Sequence, residues 1–395
     1  MGELKRISYK NHEDQRFDDS FHSQLRRVAL DCNGQVQGIH HVDDYDKWND
    51  GTEIDWSIYE SNGWNCMVQI PKFYYRYEQG EYNGIAGVLR VHVSGVKKEG
   101  YTIHPAFLTR NGEQPFQYVG AFQSSLINDV LRSLPNKTVH SITMSTINDI
   151  ANVEDYRFKQ YMNTVLKNGD KYRLMDTLLV SMLQMLVFSE TAIVNYSEQF
   201  GALKFPSGVR SQTGLGPKSE KDITFSTTID QTTYAEICYR GVENLLSKTG
   251  TLATGMSSNG SFLFEDGGIY YPSSSSRDRA QLSQQGTYSL QLNHNTFSAG
   301  YLSGQFKLQP SNKSAMLFVT PATADFRVSG SNVTSTNTEF STLDNASQNI
   351  QCNPIQLNKS GLYAWGGYYS NIMNLFKISC YSYLKVNPRI AYIEG

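Results

Sequence analysis

The densest set of potential ligands in the sequence is His40, His41, Asp43, Asp44 and Asp46. Imidazoles and carboxylates this close together are the donor types that a zinc or calcium ion takes. The competing reading is a solvated turn between two strands, and it is the preferred one. Glu236 and Glu243, and the adjacent Glu265 and Asp266 in a glycine-rich turn, are acid pairs of the kind a glycosidase needs across a sugar. With 37 acidic residues in the chain, such pairs arise by chance. No H-E-x-x-H, G-x-S-x-G or G-x-x-x-x-G-K-[ST] motif occurs. His104, followed by Pro105, Ala106 and Phe107, reads as a hydrogen-bond anchor at a strand end rather than as a catalytic base. No catalytic residue, metal ligand or cofactor is therefore assigned, and the chain is expected not to be an enzyme.

The residues best suited to recognition lie near the C-terminal end. Trp365, Tyr368, Tyr369, Tyr381 and Tyr383 are interleaved with Ser370, Asn371, Asn374 and Ser382. Tyr and Trp supply rigid, amphipathic contact area, and Asn and Ser supply adaptable hydrogen bonds. Rings stacked on sugar faces with amides beside them also suit glycan binding. The alternative is that half of these rings fill a core. Trp365, Tyr368, Tyr369, Asn371, Asn374, Tyr381 and Tyr383 are the candidate binding residues.

The elements that must position them are mostly strands. Val28, Ala29 and Leu30 lead into a hairpin turn at Asp31-Cys32-Asn33-Gly34, where Asn-Gly can supply positive φ, and Asp50-Gly51 repeats the signal. Residues 64 to 77 are dense in aromatic and β-branched side chains, which predicts strands on both sides of Pro71. Leu89 to Val96 alternates as a strand does. Two helices are predicted in the middle of the chain, over 155–167 and over 176–201. Asp176 would cap the second and Gly201 would end it. The first half of the second helix is apolar nearly all round and is expected to be buried. Between Thr251 and Ile350 there are 43 Ser, Thr, Asn or Gln and 11 charged residues. The recurring Phe, Tyr and Leu in that stretch argue for irregular β structure with long polar loops rather than a linker.

Composition narrows the function classes. The 395 residues carry 35 Lys and Arg against 37 Asp and Glu, a net charge of −2. Electrostatic capture of nucleic acid or of an anionic membrane is not expected from such a balance. Aromatic residues make up 12% of the chain, enough apolar area for a large core, which excludes intrinsic disorder. No apolar leader follows the charged first residues, and no stretch matches a bilayer span, so neither signal peptide nor membrane insertion is expected. The five cysteines are odd in number and scattered, which fits free thiols better than disulfides or a zinc site.

Several segments, in order, resemble one family: phage tail and virion proteins with a C-type-lectin-like fold, related to the formylglycine-generating enzyme and to variable proteins of diversity-generating retroelements. Met67-Val-Gln-Ile-Pro-Lys-Phe-Tyr-Tyr75 is similar to a characteristic strand of that family. The segment from Gly100 to Phe107, then Tyr118 to Phe122, resembles its "HPAF…YVG" block. Leu183-Gln-Met-Leu186 with Glu190 is similar to its buried helix, and Cys238 to Leu245 to its "YRGxEN" segment. Gly361 to Trp365 and Pro388 to Tyr392 resemble its closing strands. Two departures stand out. Where the family continues with a glycine and a Trp-rich segment, this chain has Leu246 to Leu252. The closely spaced cysteine pair of the enzyme branch is also absent, because Cys352 and Cys380 stand far apart, so oxidase activity is not carried over.

The resemblance implies an α+β chain: a short N-terminal arm over 1–24, then one elaborated C-type-lectin-like domain over 25–395. That domain would have two central helices, irregular β structure and a polar, loop-rich insertion over 251–350. It also implies that the last strands and loops display a binding surface on a rigid scaffold. The expected function is that of a tail-associated receptor-binding protein of the virion, made in the host cytoplasm. It would recognise a host surface glycan or protein through residues 363 to 383. Its expected partners are other virion proteins, the host receptor and further copies of itself, a homotrimer being one arrangement that fits. A purely structural virion role, as collar, baseplate, fibre or head decoration, is the main alternative. A glycan hydrolase stands well behind both.

Overall fold

The computed structural model describes residues 21–82, 85–109, 112–143, 163–191, 212–216, 218, 224–229, 232–247, 249–253, 363–365, 378–379 and 385–393, with a few isolated strand pairs between 291 and 356. The described residues form a mixed α+β structure made mostly of strands, with few helices and no closed barrel among them. The polar stretch assigned to 251–350, residues 1–20 of the arm assigned to 1–24 and residues 155–162 of the helix expected over 155–167 fall outside the described residues for the most part. Residues 163–166 are helical.

A six-stranded sheet is the frame. Its strands run in the order Tyr172–Leu174, Ile390–Tyr392, Phe116–Gly120, Asn65–Pro71, Arg26–Leu30 and Val36–Ile39. All neighbours are antiparallel. The hairpin between the last two strands is the one that Asn33-Gly34 predicts. Gly34 has φ +79° and donates its N–H to Asp31 O at 3.2 Å. The Asp31 carboxylate accepts the N–H groups of Asn33 and Gln35, both at 2.8 Å, which fixes the turn from its side-chain end. Pro71 ends its strand, and the next begins at Tyr74. That position suits a residue with no N–H to give to a ladder.

Both faces of this sheet are covered. Alternation along the strands sends Val28, Leu30, Met67, Tyr118, Tyr172, Leu174, Ile390 and Tyr392 to one side, into a core shared with Leu252 and Val386. Those last two belong to a second, five-stranded sheet ordered Ile142–Thr143, Lys385–Pro388, Gly250–Ala253, Tyr363–Trp365 and Ile378–Ser379. The chain steps from one sheet to the other at a single residue, Arg389, between Pro388 and Ile390.

The residues of the opposite face, among them Ala29, Val68, Ile70 and Val119, are buried as well. The turn Pro105–Phe107 touches both the strand Phe116–Gly120 and the helix Thr177–Thr191. Asp176 caps that helix as expected, its carboxylate accepting the Leu179 N–H at 2.8 Å. Leu179, Val180, Met182, Leu183, Met185, Leu186 and Val187 are all buried, as are Ser181 and Gln184 between them. A helix buried on nearly every side is what its almost continuous apolar sequence requires. Residues 192–201, with the predicted end at Gly201, lie outside the described residues.

The arm is tied to the body at its last turn. Phe21–Gln24 form a 3₁₀ turn, with the Phe21 ring 5.4 Å from that of Phe73. His22 Nε2 lies 2.8 Å from the Ser189 hydroxyl on the long helix.

Candidate functional site

The C-terminal strands rest on buried charged groups. Arg240 sits with Gly241 in the two-residue turn between strands Thr232–Tyr239 and Val242–Ser247, at φ +44° and +84°. Such a turn matches the twist of a hairpin. It delivers the guanidinium to Glu190, near the end of the long helix, with Nε and Nη2 at 3.0 and 2.6 Å from one carboxylate oxygen. The same turn packs closely: a Cβ on Gly241 would meet Tyr45, Arg27 and Val68 at 3.0 to 3.3 Å. Arg27 donates from Nε to Gly241 O at 2.8 Å, and its guanidinium lies over the rings of Tyr45 and Phe122.

Two more buried groups lock the crossing between the sheets. Arg389 donates to Gly120 O at 2.6 Å and to the carbonyls of Glu243 and Asn244 at 2.6 and 3.2 Å. Burial pulls its guanidinium down to about 10. The Glu243 carboxylate accepts the Gly214 and Gly216 N–H groups at 3.0 and 2.7 Å. That makes Glu243 a clamp on a neighbouring loop rather than one of a pair of catalytic acids. The side chain of Glu236 lies outside the described residues, as do Glu265 and Asp266.

The candidate binding residues distribute unevenly over this base. Trp365 is fully buried on the central part of the five-stranded sheet, where it pairs with Thr251 on one side and Ile378 on the other. The expectation that it offers its ring to a receptor is corrected: Trp365 is a core residue. On the same row of the sheet, Thr251 beside it and Asn387 one strand further are polar and buried. Asn387 donates to Gln123 and Thr249 at 2.7 and 2.8 Å and accepts from the Ser141 hydroxyl at 2.6 Å. Tyr368, Tyr369, Asn371 and Asn374 fall in the connection between strands Tyr363–Trp365 and Ile378–Ser379, and Tyr381 and Tyr383 in the next one. These six lie outside the described residues, while the strands at both ends of each connection are fixed in the sheet.

The histidines do structural work. His104 is buried. Its Nδ1 accepts the Ala106 N–H at 3.2 Å, which leaves Nε2–H to donate to the Ser181 hydroxyl at 3.3 Å. Burial alone holds this imidazole down to about 3. It is the anchor that the His-Pro sequence suggests.

His40 is also buried, bonded to Tyr45 O at 2.8 Å and to the Tyr59 hydroxyl at 2.6 Å, and burial holds it down to about 3 as well. With both nitrogens occupied it turns away from His41, Asp43, Asp44 and Asp46, which form the surface turn. Among the described residues, no group of three or more His, Cys, Asp or Glu is placed to hold a metal ion. Cys66 and Cys238 are buried, and burial pushes the Cys66 thiol up to about 12.

One cluster escaped the sequence reading. Trp48, Trp56 and Trp64, three of the four tryptophans, surround the buried Tyr59. Trp48 stacks on Tyr59 at 6.1 Å and 7°, Trp56 lies 4.9 Å away and Trp64 meets it edge-on at 5.9 Å. Their recurrence every eight residues was the available signal, overshadowed by the histidines and aspartates beside them.

No protein-family model matches this chain, and no curated protein matches it. Among the described residues, no helix is long and apolar enough to cross a membrane.

Proposed function

We propose that the chain is a phage virion component with a C-type-lectin-like fold that acts, without catalysis, as a tail-associated receptor-binding protein. The observation that carries this reading is the interlocking of the segments that resemble that family. Arg240 from the Cys238–Leu245 segment pairs with Glu190 from the helix segment. Arg389 from the closing segment bonds Gly120 and the Glu243 and Asn244 carbonyls from two others. Segments scattered over some 270 residues of sequence thus share one polar core, as expected if they define a fold together.

The receptor surface belongs to the two connections that carry Tyr368, Tyr369, Asn371 and Asn374, and then Tyr381 and Tyr383. Strands anchored in a sheet with loops between them are the usual arrangement for recognition, because the scaffold bears the ordering cost. The ligand is a host surface glycan or protein, and several copies of the chain on one particle supply avidity.

An antibody raised against the purified protein tests this reading on phage particles. It should decorate the tail and block adsorption to the host. Decoration without any effect on adsorption would assign the chain a purely structural place in the virion.

A further inference from the structure

The tryptophan cluster forms a surface with a defined chemistry. Trp48, Trp56 and Trp64 are each partly exposed, and Ile58 beside Trp56 on the helix Trp56–Ser61 is 39% exposed. The rings are held from beneath. Tyr59 and His40 are fully buried and bonded to each other, and the Arg132 guanidinium donates to the carbonyls of Tyr59 and Trp64. Nothing in this arrangement has to reorganise for contact.

The rim is acidic. Asp43, Asp44, Asp46, Asp50, Glu53, Asp55 and Glu60 lie within eighteen residues that contain one cation, Lys47. Lys47 is engaged by Asp44 and Glu53, and from elsewhere Lys218 reaches Asp46 and Lys137 reaches Glu60. Among the described residues, seven carboxylates meet three ammonium groups here, which makes the surface negative. Asp44, Asp50 and Asp55 are held below the usual carboxylate range by hydrogen bonds within their own turns, so they stay charged.

The same chain carries the complement. Val96, at 63%, is the most exposed of the large hydrophobic residues described, and it is followed by Lys97 and Lys98, both exposed. This knob stands on a turn secured by the Ser94 hydroxyl, which donates to Val96 O at 2.8 Å. An apolar tip with two ammonium groups matches half-exposed indoles within a carboxylate rim, through apolar burial, cation–π contact and charge pairing.

We propose that the Trp48/Trp56/Trp64 surface docks the Val96–Lys97–Lys98 turn of a second copy of this chain. The contact is head-to-tail, since knob and socket are different surfaces, so repetition gives a ring if the rotation closes and an open chain of copies if it does not. It does not depend on the receptor reading above.

The test is the oligomeric state of the full chain, measured by sedimentation over a range of concentration and salt. The wild type should self-associate, more weakly as salt is raised. Lys97→Glu/Lys98→Glu and Asp43→Lys/Glu53→Lys should each weaken association by about tenfold or more, and a chain carrying all four changes should recover it. Val96→Ser and Ile58→Arg should also weaken it, with unchanged circular dichroism. A wild type that stays monomeric at tens of micromolar in low salt overturns the proposal. So does association that the charge variants leave unchanged, or that the fourfold variant does not recover.

Discussion

Arg240 and Glu190 form a buried ion pair in which two guanidinium nitrogens converge on a single carboxylate oxygen, at 3.0 and 2.6 Å. Side-chain exposures of 2% and 1% take both charges almost wholly out of water. Each therefore depends on the other, because an isolated buried charge is far more costly than the pair.

Removing one partner should accordingly cost more than removing both. Glu190→Gln or Arg240→Met alone is expected to destabilise by about 3–5 kcal/mol, and the double change by less than either single one. Urea unfolding of the four proteins in a double-mutant cycle checks this.

Trp365→Ala should act on stability. A fully buried indole removed from a packed sheet costs about 3–5 kcal/mol. Thermal unfolding should show a large drop in Tm.

The pH dependence follows from three buried groups. His104 and His40 are held from 6.5 to about 3 in the folded chain, so unfolding takes up protons at both as pH falls below 6.5. Their contribution is fully present above pH 6.5 and is lost progressively toward pH 3. Asp176 has the opposite sign: burial raises it from 3.8 to about 6, so the folded state binds its proton first. Between about pH 4 and 6 the balance is two protons taken up against one released, a loss of about 1.4 kcal/mol for each unit of acidification. That balance counts these three groups alone; His22 and His140, also lowered by burial, act in the same direction as His40 and His104 and steepen the loss. Asp176→Asn keeps a capping side chain and should steepen the slope by up to about one proton. Unfolding free energies measured from pH 4 to 7 read both.

Gly241→Ala should destabilise by more than about 1 kcal/mol, since φ is +84° and the new methyl meets Tyr45, Arg27 and Val68. Denaturant midpoints for this variant and for Gly51→Ala separate the two causes. Gly51 shares the positive φ but has open space around its Cβ position.

Local features were the legible part of the sequence. The turn at Asp31 to Gly34, the break at Pro71, the Asp176 cap and the buried character of the long helix are each written in residues adjacent along the chain. What was not legible depends on distant contacts. The Arg240–Glu190 pair spans fifty residues of sequence, and the Arg389 bonds nearly three times as many or more. Trp365 shows the same limit, because an aromatic residue among Tyr and Asn reads equally as core or as contact until its strand neighbours are known. The Trp48, Trp56 and Trp64 cluster becomes a surface only once Tyr59 is buried between the rings.

The central claim is that the connections following Trp365 and Ser379 meet a host receptor. The most direct measurement is binding of the purified protein to cells of candidate bacterial hosts, for wild type and for Tyr368→Ala/Tyr369→Ala, with Tm recorded for both. Saturable binding by the wild type, lost in a variant of unchanged Tm, is the predicted result. Binding that the variant retains in full, or no binding to any host tested, would contradict the claim.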